Sequence, residues 1–210
     1  MAPLFFLCWG FFVKHLFAAL LLTSGLLVAG GANAQIIITL TETGGNVVAN
    51  GSGSINTQGL NNNGPTPISA RVSPAQAFLV LGSGGSDSWT PVTGPQNFGN
   101  GLPQINTSST SGDKFGVRGS AGFERIFLPT NYASGTQISG TTTFPGTFSS
   151  LGIKPGTYTY TLPNDSLVIY IGTTPPSPPS AVPSLSEWTQ LLLALMTISV
   201  IGWHFRKQQV

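Results

Sequence analysis

The chain has 210 residues, only 7% of them Asp, Glu, Lys or Arg, with 27 glycines, 16 prolines and a formal net charge of +2. Intrinsic disorder goes with high charge and few β-branched or aromatic residues, which this composition does not match, and the chain is short of the helix-forming stretches that a bundle needs. A mean hydropathy of +0.22 is carried largely by apolar segments at the two ends; the residues between them are rich in turn formers.

Residues 1–34 read as a signal peptide. Lys14 supplies a positive region, Leu16 to Val28 an apolar core, and Ala32-Asn33-Ala34 a small-x-small site that leaves Gln35 as the mature first residue. The apolar stretch Met1–Phe12 ahead of the lysine is atypical, so a translation start at Val13 is an alternative. Cys8, the single cysteine, follows bulky Phe and Leu rather than the small residues of a lipoprotein box. The partners expected here are the Sec machinery and signal peptidase.

Gln35–Gly172 has the size of one domain. Its acids (Glu42, Asp87, Asp113, Glu124, Asp165) balance its bases (Arg71, Lys114, Arg118, Arg125, Lys154), with no basic stripe of the kind nucleic-acid binding requires. Short strands broken by Gly, Asn and Pro predict an all-β fold, a single antiparallel β-sandwich-like domain between an N-terminal signal-peptide helix and a C-terminal transmembrane helix.

In chain order, "QIIITLTETGGNVVANGSGSI" reads as two strands about a Gly44-Gly45 turn. "ISARV" and "AQAFLVLG" follow as strands, and Gly82–Ser111 is a long loop or several short strands. "FGVRGSAGFERIFLP" resumes strand character, with Phe123, Ile126 and Phe127 as core candidates. "GTYTYTLPNDSLVIYIG" is a hairpin about Pro163-Asn164-Asp165. Pairing Leu162 with Ser166 sets Tyr160 against Val168 and Tyr158 against Tyr170, and the threonines against Leu167, Ile169 and Ile171. Both faces are then partly apolar, which predicts a hairpin packed inside the sandwich.

Thr173–Ala181, "TTPPSPPSA", is a Pro-rich linker with an extended preference of about 3.1 Å per residue. From Leu191 to Phe205 the chain is apolar except for Thr197, Ser199 and His204, which predicts a transmembrane helix near the lower length limit. Arg206 and Lys207 stop it on the cytoplasmic side and leave the domain facing outward, with Trp188 and Trp203 at the two interfaces.

Val182-Pro183-Ser184-Leu185-Ser186-Glu187-Trp188, a membrane span and a basic end, in that order, resemble the IPTL-CTERM sorting signal, a relative of PEP-CTERM. The resemblance covers residues 182–210, with Val182, Ser184 and Thr189 departing from the family pattern Ile-Pro-Thr-Leu-Ser-Glu-Trp-Gly. It implies a transient inner-membrane anchor facing the periplasm, processing by a membrane-embedded exosortase, and release to the cell surface or the extracellular space. "ITLTETGGNVVANGSGSI" and "LPTNYASGTQISGTTTF" are similar in style to exported PEP-CTERM proteins of bacteria that build exopolysaccharide biofilms.

Catalysis by Ser-His-Asp or Cys-His is excluded from the domain by inventory, because His15, His204 and Cys8 all lie in the end segments. The same inventory excludes a zinc site built on His or Cys. A glycosidase carboxylate pair has no telling context among the five acids, and "GSGGSDSW" lacks both the carboxylates of a calcium loop and the lysine of a phosphate loop. Among the aromatic residues, the hairpin tyrosines read as packing, and Trp89 and Tyr132, in loop-like context, are the better glycan-contact candidates. The expectation is a non-enzymatic, cofactor-free exported protein of the cell surface or an exopolysaccharide matrix, with a carbohydrate-binding module as the alternative.

Overall fold

The computed structural model describes residues 35–101 and 104–176, together with Leu192, Leu195 and Met196. The chain divides into two compact units, Met1–Thr173 and Thr174–Val210. The described part of the first is built of strands in two sheets that form a sandwich-like fold. In the second, Leu192, Leu195 and Met196 are helical and more than half exposed.

The first sheet has six strands in the order β12-β13-β1-β2-β11-β8. These are β1 (Gln35–Thr43), β2 (Asn46–Gly53), β8 (Ser109–Gly112), β11 (Ile138–Pro145), β12 (Gly156–Thr161) and β13 (Ser166–Ile171). The second has seven strands in the order β3-β6-β10-β9-β5-β4-β7: β3 (Asn61–Pro65), β4 (Arg71–Ser73), β5 (Phe78–Leu81), β6 (Ser86–Thr90), β7 (Ile105–Asn106), β9 (Phe115–Arg118) and β10 (Arg125–Pro129). Every strand pairing is antiparallel except that of β1 with β13, which runs Gln35 beside Ser166 and Leu40 beside Ile171.

Period-2 alternation fills the core. Ile36, Ile38 and Leu40 of β1, with Leu167, Ile169 and Ile171 of β13, face Leu79 and Leu81 of β5, Phe115 and Val117 of β9, and Ile126 and Leu128 of β10. The β1–β2 hairpin turns at Gly44 and Gly45, with φ of 58° and 75°, the left-handed pair that a two-residue turn requires. A row of glycines crosses the first sheet, Gly51 beside Gly140 beside Gly112. A Cβ on Gly51 would lie 2.8 Å from Phe115 Cζ and one on Gly140 3.1 Å from Phe115 Cε1. The Phe115 ring therefore seats directly on sheet backbone.

Several expectations change. "ISARV" is a strand only from Arg71, and Pro74–Gln76 forms a single 3-10 turn before β5 because proline removes the ladder donor. Gly82–Ser111 resolves as short strands, β6, β7 and the start of β8. Ile126 and Phe127 are buried, but Phe123 is 51% exposed on the turn ahead of β10. The hairpin register differs by one residue: Thr161 pairs with Ser166, Tyr160 with Leu167, Tyr158 with Ile169 and Thr157 with Tyr170. A one-residue slip exchanges faces, so the tyrosines join Leu167, Ile169 and Ile171 on the core side. Thr157, Thr159 and Thr161 are exposed, and the hairpin is covered on one face rather than two. The cause lies in the turn, where Leu162 N–H donates to Asp165 O at 2.9 Å and Asp165 accepts from Asn56 N–H at 2.8 Å, enlarging the loop to Leu162–Asp165.

Candidate ligand-binding surface

The outward positions of the first sheet align in cross-strand rows. One runs Thr157, Tyr170, Thr39, Asn50, Thr141 and Ser111; the next runs Thr159, Val168, Ile37, Ser52 and Ser139. A third adds Thr41, Val48, Thr143 and Ser109. No Asp, Glu, Lys or Arg stands in these rows, on a surface roughly 24 Å across the strands at about 4.8 Å each.

In this face lies a hollow of about 270 Å³ lined by Ile37, Thr39, Asn50, Ser52, Ser111, Ser139, Thr141 and the three glycines Gly51, Gly112 and Gly140. It sits over the same glycine row on which Phe115 packs from inside, where no side chain thickens the sheet. Thr141 Oγ1 donates to Asn50 Oδ1 at 2.9 Å, and Thr39 Oγ1 to the Asn50 carbonyl at 3.4 Å. Asn50 Nδ2 has no partner among the described residues and is free to donate outward. Hydroxyls, one amide and an apolar floor at Ile37 can exchange hydrogen bonds with a neutral polyhydroxyl ligand. They offer no acid, base or nucleophile activated by a neighbour.

The two expected glycan-contact residues, Trp89 and Tyr132, do not line this hollow. Tyr132 is 9% exposed; its oxygen accepts from Ile55 N–H at 2.8 Å and donates to Thr136 O at 2.6 Å. Burial pushes its pKa up, opposed by the Ile55 hydrogen bond and aided by Asp165. Trp89 is on β6, not in a loop, and its partly buried ring packs on the core. Both side chains thus pack on the inner side, Tyr132 buried and Trp89 partly so. Tyr160 is fully buried, donating to Pro95 O at 3.0 Å, and Tyr158 meets Phe98 edge-on at 5.0 Å. Tyr170, half-buried, stands in the outward row as the cross-strand neighbour of Thr39, which lines the hollow. Sequence reasoning passed over the hollow because its residues come from strands far apart in the chain; the Gly-Ser-Gly of β2 and the Ser-Gly-Thr of β11 are its only local signals.

The carboxylates are structural. Glu42 accepts from Phe148 N–H, the first residue of the short helix α1 (Phe148–Leu151). Asp113 accepts from Ser139 N–H at 3.0 Å, and Asp165 from Asn56 and Ser166 N–H. Asp87 is buried on the inner side of β6, with Oδ2 held by Asn62 Nδ2 at 3.2 Å and Asn131 N–H at 3.3 Å. Asp87 Oδ1 and Trp89 Nε1 are buried without a partner among the described residues. A lone carboxylate does not make a calcium site, and no group of His, Cys, Asp and Glu able to hold a metal occurs among the described residues.

Gln35 opens β1, its Nε2 donating to Ser166 Oγ at 2.8 Å. Ala32 and Ala34, the motif residues Val182 to Trp188, and Arg206 and Lys207 lie outside the described residues. Among the described residues, no helix is long and apolar enough to cross a membrane. No protein-family model matches the chain, and comparison with curated proteins and with solved structures gives no significant match.

Proposed function

We propose that the chain is a non-enzymatic exported protein, carried through the inner membrane, trimmed at both ends and placed at the cell surface or in an exopolysaccharide matrix. The observation that supports this reading is where the described strands stop: the last ends at Ile171, just before the Pro-rich linker, and Gln35, the residue that the small-x-small site would expose, already stands in β1. Cleavage at either place leaves every described strand whole. Because β1 and β13 are parallel, the new amino terminus and the linker leave from opposite ends of the strand pair.

The test is expression of the full chain in a Gram-negative host with an exosortase of the matching subtype, followed by mass analysis of released material. The expected product begins at Gln35 and lacks Leu191–Val210. Product outside the cell that retains the tail at full mass would overturn the reading.

A carbohydrate-binding role is the second reading, favoured by the uncharged hollow at Asn50 and Thr141. It predicts binding to neutral oligosaccharides on a glycan array that Asn50→Ala and Thr141→Val each weaken by about tenfold, close to the loss of one hydrogen bond. An array with no neutral ligand removes it.

A further inference from the structure

The balanced charges of the domain are sorted by the fold. Arg71, Arg118 and Arg125 all project from the outer face of the second sheet, where Arg118 and Arg125 are direct cross-strand partners. Arg71 Cζ stands 4.5 Å and Arg118 Cζ 5.7 Å from the centre of the Phe78 ring, and Arg118 Cζ lies 4.6 Å from that of Phe123. Phe78 packs at 5.6 Å on Phe127, with Val80 and Ile68, in a small apolar cluster beneath the cations. Lys114 Nζ donates to Ile68 O at 2.7 Å beside it.

Like charges directly opposite each other destabilise a sheet, and nothing nearby offsets them. Four of the domain's acids serve as acceptors for backbone N–H groups, as described above, and no ion pair forms among the described residues, Glu124 beside Arg125 included. The arginines' protein partners are few: Nη1 of Arg71 donates to Gln104 Oε1 at 2.8 Å, Nε of Arg118 to Ser120 Oγ at 2.8 Å and Nε of Arg125 to Phe123 O at 3.2 Å. Arg71 Nε is buried with no partner among the described residues. The remaining guanidinium donors converge on one surface in a geometry suited to bidentate recognition of carboxylates. Burial first, then the fields of Arg125 and Arg71, lower the Arg118 pKa.

We propose that this face binds an acidic polysaccharide, the three guanidinium groups taking its carboxylates while the exposed Phe123 ring stacks on a sugar. The proposal rests on the export reading for its choice of polymer. Two features favour uronate chains over nucleic acid or anionic lipid: the cations form a compact cluster rather than a stripe, and Phe123 is the only large apolar side chain of the described domain that is exposed, too little for insertion into a bilayer.

The test measures binding of the full chain, held in phosphatidylcholine nanodiscs without free detergent, to labelled polygalacturonate, with dextran, a single-stranded DNA oligonucleotide and phosphatidylglycerol vesicles as comparators. Polygalacturonate is expected to bind at least tenfold more tightly than each comparator, and more weakly as salt rises. Arg118→Thr and Arg125→Thr are each expected to lose tenfold or more, with Arg125→Lys intermediate. Because removing either arginine relieves repulsion, Arg125→Thr is expected to melt at the same temperature as the parent or higher, so lost binding cannot be put down to unfolding. A folded Arg125→Thr variant that binds unchanged, or equal or tighter binding to dextran, DNA or vesicles, overturns the proposal. The mass of the released product reports on the export reading separately, whatever the binding result.

Discussion

Tyr132 ties two loops of the sandwich together through one oxygen, which takes the Ile55 N–H and gives its proton to Thr136 O. Tyr132→Phe leaves a buried N–H unpaired and is expected to cost about 1–3 kcal/mol in urea unfolding. It should leave polygalacturonate binding unchanged, since it touches neither outer face. Tyr160 is buried more deeply, and desolvation, with Tyr158 adding to it, raises its pKa strongly. A folded state that holds the phenol proton more tightly is stabilised fully below the unfolded value of about 10. That stability is lost as pH rises from there through the folded value. Chemical denaturation at stepped pH should show a plateau and then an alkaline fall that Tyr160→Phe makes shallower. A variant curve parallel to the parent's would refute the linkage. These tyrosines sit in Thr-Tyr and Asn-Tyr contexts that read equally well as surface or core; only the register and the loop closure decide.

At the scale of the element, the glycine row shows how small residues set the spacing of two sheets. Gly51→Ala places a methyl carbon against Phe115 and is expected to destabilise by about 1–3 kcal/mol, the usual cost of overpacking a filled core. Phe115→Leu in the same chain should recover part of that loss in a double-mutant cycle; strictly additive effects would show that the ring does not rest on the glycine. The Gly44-Gly45 turn and the strands β1 and β2 were legible in the sequence because turn chemistry and strand composition are local, whereas β11, rich in Gly, Ser and Thr, was not read as a strand. The Tyr-Thr hairpin was legible as an element but not in register. Its turn is held by Asn56, far away in the chain, and a contact of that kind leaves no local trace. Phe123 misled for a related reason. Its apolar character suggested core, yet it stands on a turn, half exposed, with Arg118 against its ring.

Across the whole molecule, the charge of the domain sums to zero and is nevertheless unevenly placed. The outer face of the first sheet has rows of Thr, Ser and Asn without a formal charge, and the outer face of the second gathers three arginines. The two faces therefore predict different ligands, and the variants separate them. Asn50→Ala should alter only neutral-glycan binding and Arg118→Thr only binding to the acidic polymer, as read on one array carrying both.

The sequence by itself determined the class of fold and left histidine and cysteine out of residues 35–172, and it carries the terminal motifs on which the export proposal rests. All of these depend on composition, periodicity and short motifs, which are properties of neighbouring residues. The tertiary structure alone decided which side of the hairpin is buried, that Trp89 and Tyr132 turn inward, where the hollow lies, and that cations from three strands meet on one face. Each of those depends on strand order and register, which bring together side chains that are distant along the chain and that no local pattern couples.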